Sequence, residues 1–124
     1  SCVFTLPEVS SVGMTEEACK RSGQVCKTSK FSFAANGKAV SLGEGEGFVK
    51  WIANDDGQLL GAQIMGPHAS DLIHEATLAI QNGLTATEVF HTVHAHPTLS
   101  EAVHEAAGGL LGQAIHIAPA KKRK

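Results

Sequence analysis

Two apolar runs, FVKWIA over residues 48–53 and LLGAQIM over residues 59–65, stand on either side of the polar stretch NDDGQ. Asp56-Gly57 supplies the positive φ that tight hairpin turns need, so the chain is expected to reverse here and pair the two runs as antiparallel strands. Gly66-Pro67 ends the second strand, because proline cannot donate to the ladder. A lone hairpin is at best marginally stable in water, so the rest of the chain has to supply more strands and a layer to cover one face.

The upstream half offers strands. Residues 3–12, VFTLPEVSSV, read as an edge strand bent at Pro7, since an edge tolerates a missing donor. In residues 25–33, VCKTSKFSF, Phe31 and Phe33 alternate with Lys30 and Ser32, as in a half-buried strand. Between them Thr15 caps a short helix with Glu16 and Glu17 in its first turn, Lys20 and Arg21 in its last, and Gly23 beyond. Asn36-Gly37 reads as a turn and SLGEGEG as loop.

The downstream half offers helices. Leu72, Ile73, Ala76, Ala79 and Ile80 share one face of a helix over residues 70–83. Thr85 with Glu88 forms a capping box for a second, and Thr98 with Glu101 forms another, opening a third helix through Ala102, Val103, Ala106, Leu110 and Ala114. LIHEATLAIQNGL and AVHEAAGGLLGQA share an amphipathic pattern without being a repeat. Strands followed by helices predict an α+β domain: an antiparallel sheet with helices packed on one side.

A length of 124 residues fits one domain, taken as residues 1–118, with residues 119–124 as a disordered basic tail containing Lys121–Lys124. The formal charge of −2 gives no reason to expect nucleic acid or an anionic membrane as partner. No apolar stretch approaches the ~20 residues that span a bilayer, and the first residues lack the pattern of a signal peptide. Three cysteines, Cys2, Cys19 and Cys26, make an odd count without zinc-ribbon or CxxC spacing. They are expected to be buried or incidental thiols in a reducing compartment.

Several motifs fail on inspection. His74-Glu75 and His104-Glu105 would suggest a zinc protease if a histidine followed one turn later, but Leu78 and Gly108 stand there. GEGEGF, residues 43–48, has Phe48 where a dinucleotide fingerprint needs a third small residue. Gly37-Lys38 lacks the rest of a P-loop.

HTVHAHPTLSE, residues 91–101, is different. His91, His94 and His96 could ligate a transition metal, yet no cysteine or acid has an obvious claim to complete the set, and Pro97 biases His96 towards extended backbone. No metal site is therefore assigned. His96 with Glu101 instead suits acid–base catalysis: the carboxylate holds one ring nitrogen, fixes the tautomer and leaves the other nitrogen aimed outward. Capping a helix and orienting a histidine are compatible duties for Glu101.

HAHPTLSEAVHEAA resembles the C-terminal signature of the dihydrolipoyl dehydrogenases, within the pyridine nucleotide-disulfide oxidoreductase family. FTLPEVSSVGMTEEAC resembles the opening of that family's interface (dimerisation) domain, and residues 47–85 resemble its centre, so coverage extends to about Gln113. The resemblance implies that His96 is the catalytic acid–base residue and Glu101 its partner, delivered across a homodimer to the other subunit. There the pair would exchange protons with a dihydrolipoyl thiol, borne by a lipoyl protein or by dihydrolipoamide. It also implies that His96 and Pro97, joined by a cis peptide, lie near the partner's flavin. FAD, NAD and the redox cysteine pair belong to parts of the family's enzymes that these residues do not match, so the chain alone is expected to hold no cofactor and turn over nothing. The lipoyl enzymes occur in bacterial cytoplasm or the mitochondrial matrix, which sets the expected location. Two alternatives remain: the dimerisation domain of a related flavoprotein disulfide reductase with another substrate, and a histidine-rich zinc module.

Overall fold

The β-hairpin at the centre of the sequence is also the centre of the sheet. In the computed structural model, which describes residues 1–116, β4 (Phe48–Asn54) and β5 (Leu59–Gly66) pair antiparallel as the expected hairpin, with an irregularity between Ile52 and Ala53. The remaining strands are β1 (Cys2–Val3), β2 (Glu8–Gly13) and β3 (Cys26–Ser32). They complete a five-stranded antiparallel sheet of order β1-β2-β5-β4-β3.

The helices are α1 (Glu16–Arg21), α2 (Gly37–Ser41), α3 (Ala69–Gln81), α4 (Ala86–His91) and α5 (Glu101–Leu110). The two longest, α3 and α5, cover one sheet face: α3 lies against β2 and β5, and α5 against β3 and β4. Phe31, Val49, Trp51 and Ile64 project from that face into a core closed by Ile73, Ala76 and Ala79 of α3 and Ala102, Val103, Ala106 and Ala107 of α5. The alanines let both helices approach the sheet closely, which leaves room for one large buried indole, Trp51. The Trp51 indole N–H donates to Val103 O at 3.1 Å and pins the first turn of α5 to the sheet. On the opposite face Lys50 reaches Glu16 of α1, at 2.5 Å. Hydrogen bonds from Lys20 and Lys50 pull the Glu16 carboxyl down to about 2. No helix among the described residues is long and apolar enough to cross a membrane.

Four expectations need correction. The bent edge strand over residues 3–12 is two strands: the chain turns at Thr5–Pro7 and β1 folds back on β2, pairing Cys2 with Ser10. Pro7, which has no N–H to offer a ladder, sits in that turn, and the Leu6–Pro7 peptide is cis. Asn36-Gly37 is a helix start rather than a plain turn, because the Asn36 side chain accepts from Ala39 N–H at 2.9 Å and caps α2. Helix α5 begins at Glu101 and ends at Leu110, not at Thr98 and Ala114: the Thr98 hydroxyl donates to Ala95 O at 2.7 Å instead of capping, and Gly112 at φ +68° turns the chain back. Finally, Cys19 and Cys26 are joined as a disulfide, with Cα atoms 6.3 Å apart, while Cys2 is an exposed free thiol. A short helix folding back onto a strand brings its last turn beside the strand's first residue, a pairing that redox and zinc spacings do not capture. The inference of a reducing compartment, which rested on unpaired thiols, loses that support. The proposed boundary at residue 118 and the tail over residues 119–124 lie outside the described residues.

One close approach holds the sheet to its flank. A Cβ at Gly61 of β5 would stand 1.9 Å from the carbonyl oxygen of Met14, a backbone atom that cannot swing aside. Gly61→Ala is therefore expected to lower stability by about 1–3 kcal/mol, the usual cost of overpacking, read as a lower urea midpoint with unchanged slope. A midpoint equal to that of the parent chain would show that Met14 moves freely.

Candidate functional site

The loop between α4 and α5 carries the histidine-rich stretch, and each end of it is fixed. Thr85 accepts from Glu88 N–H while the Glu88 side chain accepts from Thr85 N–H, so the expected capping box starts α4. The other end is tied by Asn36: its Nδ2 donates to Thr98 O at 3.0 Å while its Oδ1 caps α2, and the side chain is buried. One buried amide thus joins α2 to the turn containing the cis His96–Pro97 peptide. Sequence reasoning missed this duty because an Asn-Gly pair signals a turn and says nothing of a contact with Thr98, far along the chain.

His96 and Glu101 come together as expected. The Glu101 carboxylate is divided between two donors, the His96 Nδ1–H to Oε1 at 2.8 Å and the Thr98 backbone N–H to Oε2 at 2.9 Å. A carboxylate only accepts, so the proton sits on Nδ1 and Nε2 carries the free lone pair. Burial would raise the Glu101 carboxyl, but the hydrogen bonds from Thr98 and His96 outweigh it, and the group stays below the usual carboxylate range. The His96 side chain is 78% exposed and Glu101 only 25%. An oriented base thus stands out from the domain on a stiff turn while its partner is anchored in the fold.

His94 does something else. Its Nε2 lies 2.6 Å from Glu75 Oε1 on α3, and its Nδ1 lies 2.8 Å from Thr92 O. Both neighbours are acceptors, so the charged ring, with a proton on each nitrogen, is the form that satisfies both. The Glu75 hydrogen bond, opposed by burial, raises His94 above its ordinary value of 6.5. The pair staples the loop to α3, and His94 also packs on His104, which stacks on Phe90 at 4.7 Å. Nothing in the spacing of Glu75 pointed to it. With both nitrogens of His94 engaged, the three histidines do not converge, and no group of three potential ligands gathers among the described residues.

This staple has a pH signature. A raised folded value means that the pair's contribution is fully present below pH 6.5 and fades as pH rises through the raised value. Glu75→Gln is expected to cost about 1–2 kcal/mol at pH 6, discounted because Glu75 is partly exposed, and less at pH 9. Equal losses in urea unfolding at both pH values would contradict the charged pair.

Size alone does not mark the site. The larger cavity, about 410 Å³, lies beside Leu6, Glu44, Glu46 and His68. Its Glu8 carboxylate is committed to Ser70, accepting from N–H at 2.9 Å and from Oγ at 2.7 Å. A smaller cavity of about 200 Å³ is walled by His96 and Glu101 together with Glu105 and His116. The glycine-rich stretch 43–47 leads into β4, whereas a phosphate cradle needs a helix start.

Comparison with known proteins gives the family and the fold. Residues 1–107 match the family model for the pyridine nucleotide-disulphide oxidoreductase dimerisation domain. The dihydrolipoyl dehydrogenase of Bacillus subtilis is 51% identical over 116 residues, 93% of this chain and 25% of the relative. That of Chlamydia muridarum is 46% identical over 123 residues, 98% of this chain and 26% of the relative. Among solved structures, LpdA of Mycobacterium tuberculosis superimposes with a TM-score of 0.81 at 30% identity, covering 86% of this chain and 24% of that one. The HOCl-induced flavoprotein disulfide reductase RclA of Escherichia coli gives 0.83 at 26% identity, covering 87% and 25%. The chain thus spans about a quarter of the length of the curated relatives it matches. With a dimerisation-domain model matched along most of its length and a sheet-and-helix architecture shared with flavoprotein disulfide reductases, the chain belongs to the pyridine nucleotide-disulphide oxidoreductase dimerisation domains.

Proposed function

We propose that this domain serves a homodimeric dihydrolipoyl dehydrogenase, supplying dimer contacts and delivering the His96–Glu101 pair to the active site of the other subunit. The supporting observation is the pair itself: an exposed imidazole held at Nδ1 by a carboxylate that is only 25% exposed, which leaves Nε2 free to react. In dihydrolipoamide oxidation Nε2 of His96 takes the proton from a substrate thiol, giving the thiolate that attacks a disulfide, and returns a proton to a departing thiolate. Glu101 holds the ring in the competent tautomer and balances the imidazolium that forms. Bound FAD and NAD supply the electron transfer. His96 and Pro97, both exposed at the turn, fit a position facing the partner's flavin. The identity to dihydrolipoyl dehydrogenases supports a lipoyl substrate over another disulfide.

The full-length protein tests this reading. It is expected to oxidise dihydrolipoamide with NAD+ and to leave glutathione disulfide untouched. Efficient reduction of glutathione disulfide without lipoyl turnover would assign it to another reductase.

A further inference from the structure

We infer that Asn36 is a positioning residue for the His96–Glu101 pair, setting through Thr98 how the Glu101 carboxylate faces the imidazole. The inference rests on the acid–base role given to His96. Thr98 is the link, because it is held from both directions: its carbonyl accepts from Asn36 Nδ2 at 3.0 Å, and its N–H donates to Glu101 Oε2 at 2.9 Å. Glu101 Oε1 then accepts the His96 Nδ1–H at 2.8 Å. The partners of Asn36 also fix which way its amide points. Ala39 N–H is a donor and Thr98 O an acceptor, so Oδ1 must face α2 and Nδ2 the turn. The residue is 3% exposed, and a buried amide that lost either partner would bear the desolvation cost of that group.

Asn36 is the turn's hydrogen-bonded tie to a distant element. Among the described residues, the other hydrogen bonds of Ala95 to Thr98 are local: the Thr98 hydroxyl closes on Ala95 O, and the rest go to Glu101. Leu99 packs against the core and fixes where the chain passes. Packing has little direction, however, and leaves the peptide planes on either side of Thr98 free to rotate, whereas a hydrogen bond fixes that rotation. Asn36 orients the Thr98–Leu99 plane, and the Thr98 backbone carries that orientation to the N–H that meets Glu101. The cavity of about 200 Å³ has Asn36, His96 and Glu101 in its wall, so the carboxylate has room to swing once its second donor is misaligned. A swung carboxylate no longer selects the tautomer with Nε2 free. Part of the population then presents a protonated Nε2, which cannot take a proton from a thiol. Aspartate and serine cap helices as well as asparagine does, but aspartate lacks a donor at neutral pH and the serine hydroxyl is too short to reach both partners. Asparagine caps α2 and holds Thr98 at once.

The test uses the full-length enzyme, with rates measured at a temperature where every variant is folded. Asn36→Ser, which keeps a cap for α2 and buries no charge, is expected to lower kcat for dihydrolipoamide oxidation about fivefold, the rate equivalent of the roughly 1 kcal/mol that one hydrogen bond contributes. KM and flavin content stay unchanged. Asn36→Asp, which turns an acceptor towards Thr98 O, is expected to lose at least as much. Ser41→Gly, which loosens α2 and leaves the amide in place, is expected to keep the parent rate. A double-mutant cycle decides. Glu101→Gln leaves a single side-chain oxygen for the two donors, so the path is already broken, and adding Asn36→Ser to it is expected to cost less than about twofold. A parent kcat in Asn36→Ser, an equal loss in Ser41→Gly, or the full loss repeated in the Glu101→Gln background overturns the inference, since Asn36 would then serve α2 or the fold alone. If His96→Gln is as active as its parent, the underlying reading fails instead, so the two failures are distinguishable.

Discussion

Replacing His96 by glutamine in the full-length enzyme is expected to slow dihydrolipoamide oxidation by about 10²–10⁴-fold, the usual cost of losing a general acid–base group, while flavin stays bound. Glutamine occupies similar space and its amide can still donate to Glu101, so the turn at Pro97 keeps its anchor. What it cannot do is accept and return a proton near neutral pH. Glu101→Gln is expected to do less damage, because His96 keeps its titratable ring and loses only the group that fixes its tautomer. The lowered Glu101 carboxyl adds a stability signature: its contribution is present above the ordinary carboxylate range and lost as pH falls through the depressed folded value.

Mixing subunits locates the effect. If His96 acts across the dimer, His96→Gln subunits paired with subunits lacking the redox cysteines regain one working site per dimer, since that site takes cysteines from one chain and His96 from the other. A hybrid as slow as the His96→Gln homodimer would place the base in its own subunit's site.

How much of this was legible beforehand follows from the range of the interactions. The β4–β5 hairpin, the α1 cap at Thr15 and the α4 box at Thr85 and Glu88 are local signals, and each forms where the residues place it. His96 and Glu101 were also readable, because a proline turn and one helical turn bring them together over a short stretch of chain. The errors fall where a residue with a plausible local use was claimed by a distant one. Asn36 looked like a turn residue and is held by Thr98; Glu105 looked like half of a failed zinc motif and grips residues 115 and 116. Thr98 shows a different ambiguity: its hydroxyl could reach three residues forward to cap α5 or three back to Ala95 O, and it closes the turn at Ala95. Glu75 and His94 lie on separate helical and loop segments, and only the packing of α3 against the loop makes them partners.

Trp51→Ala is expected to cost about 3–5 kcal/mol, a large share of the roughly 5–15 kcal/mol that holds a domain of this kind together. Trp51 is fully buried between the sheet and α5, where its neighbours are alanines too short to fill the space an indole vacates. Trp51→Phe separates packing from polarity: the ring keeps most of the contact, while loss of the N–H donor to Val103 O costs about 1 kcal/mol. That bond has a second consequence, since Val103 lies in the first turn of α5, two residues after Glu101. Loosening it lets the helix start slide on the sheet and take the Glu101 carboxylate with it. In the full-length enzyme Trp51→Phe is therefore expected to lower kcat by more than its small stability loss explains, with the loss measured at a temperature where both proteins are fully folded. An unchanged kcat in Trp51→Phe would mean that Thr98 and His96 suffice to hold Glu101, and that the core sets the stability of the domain without setting the aim of its base.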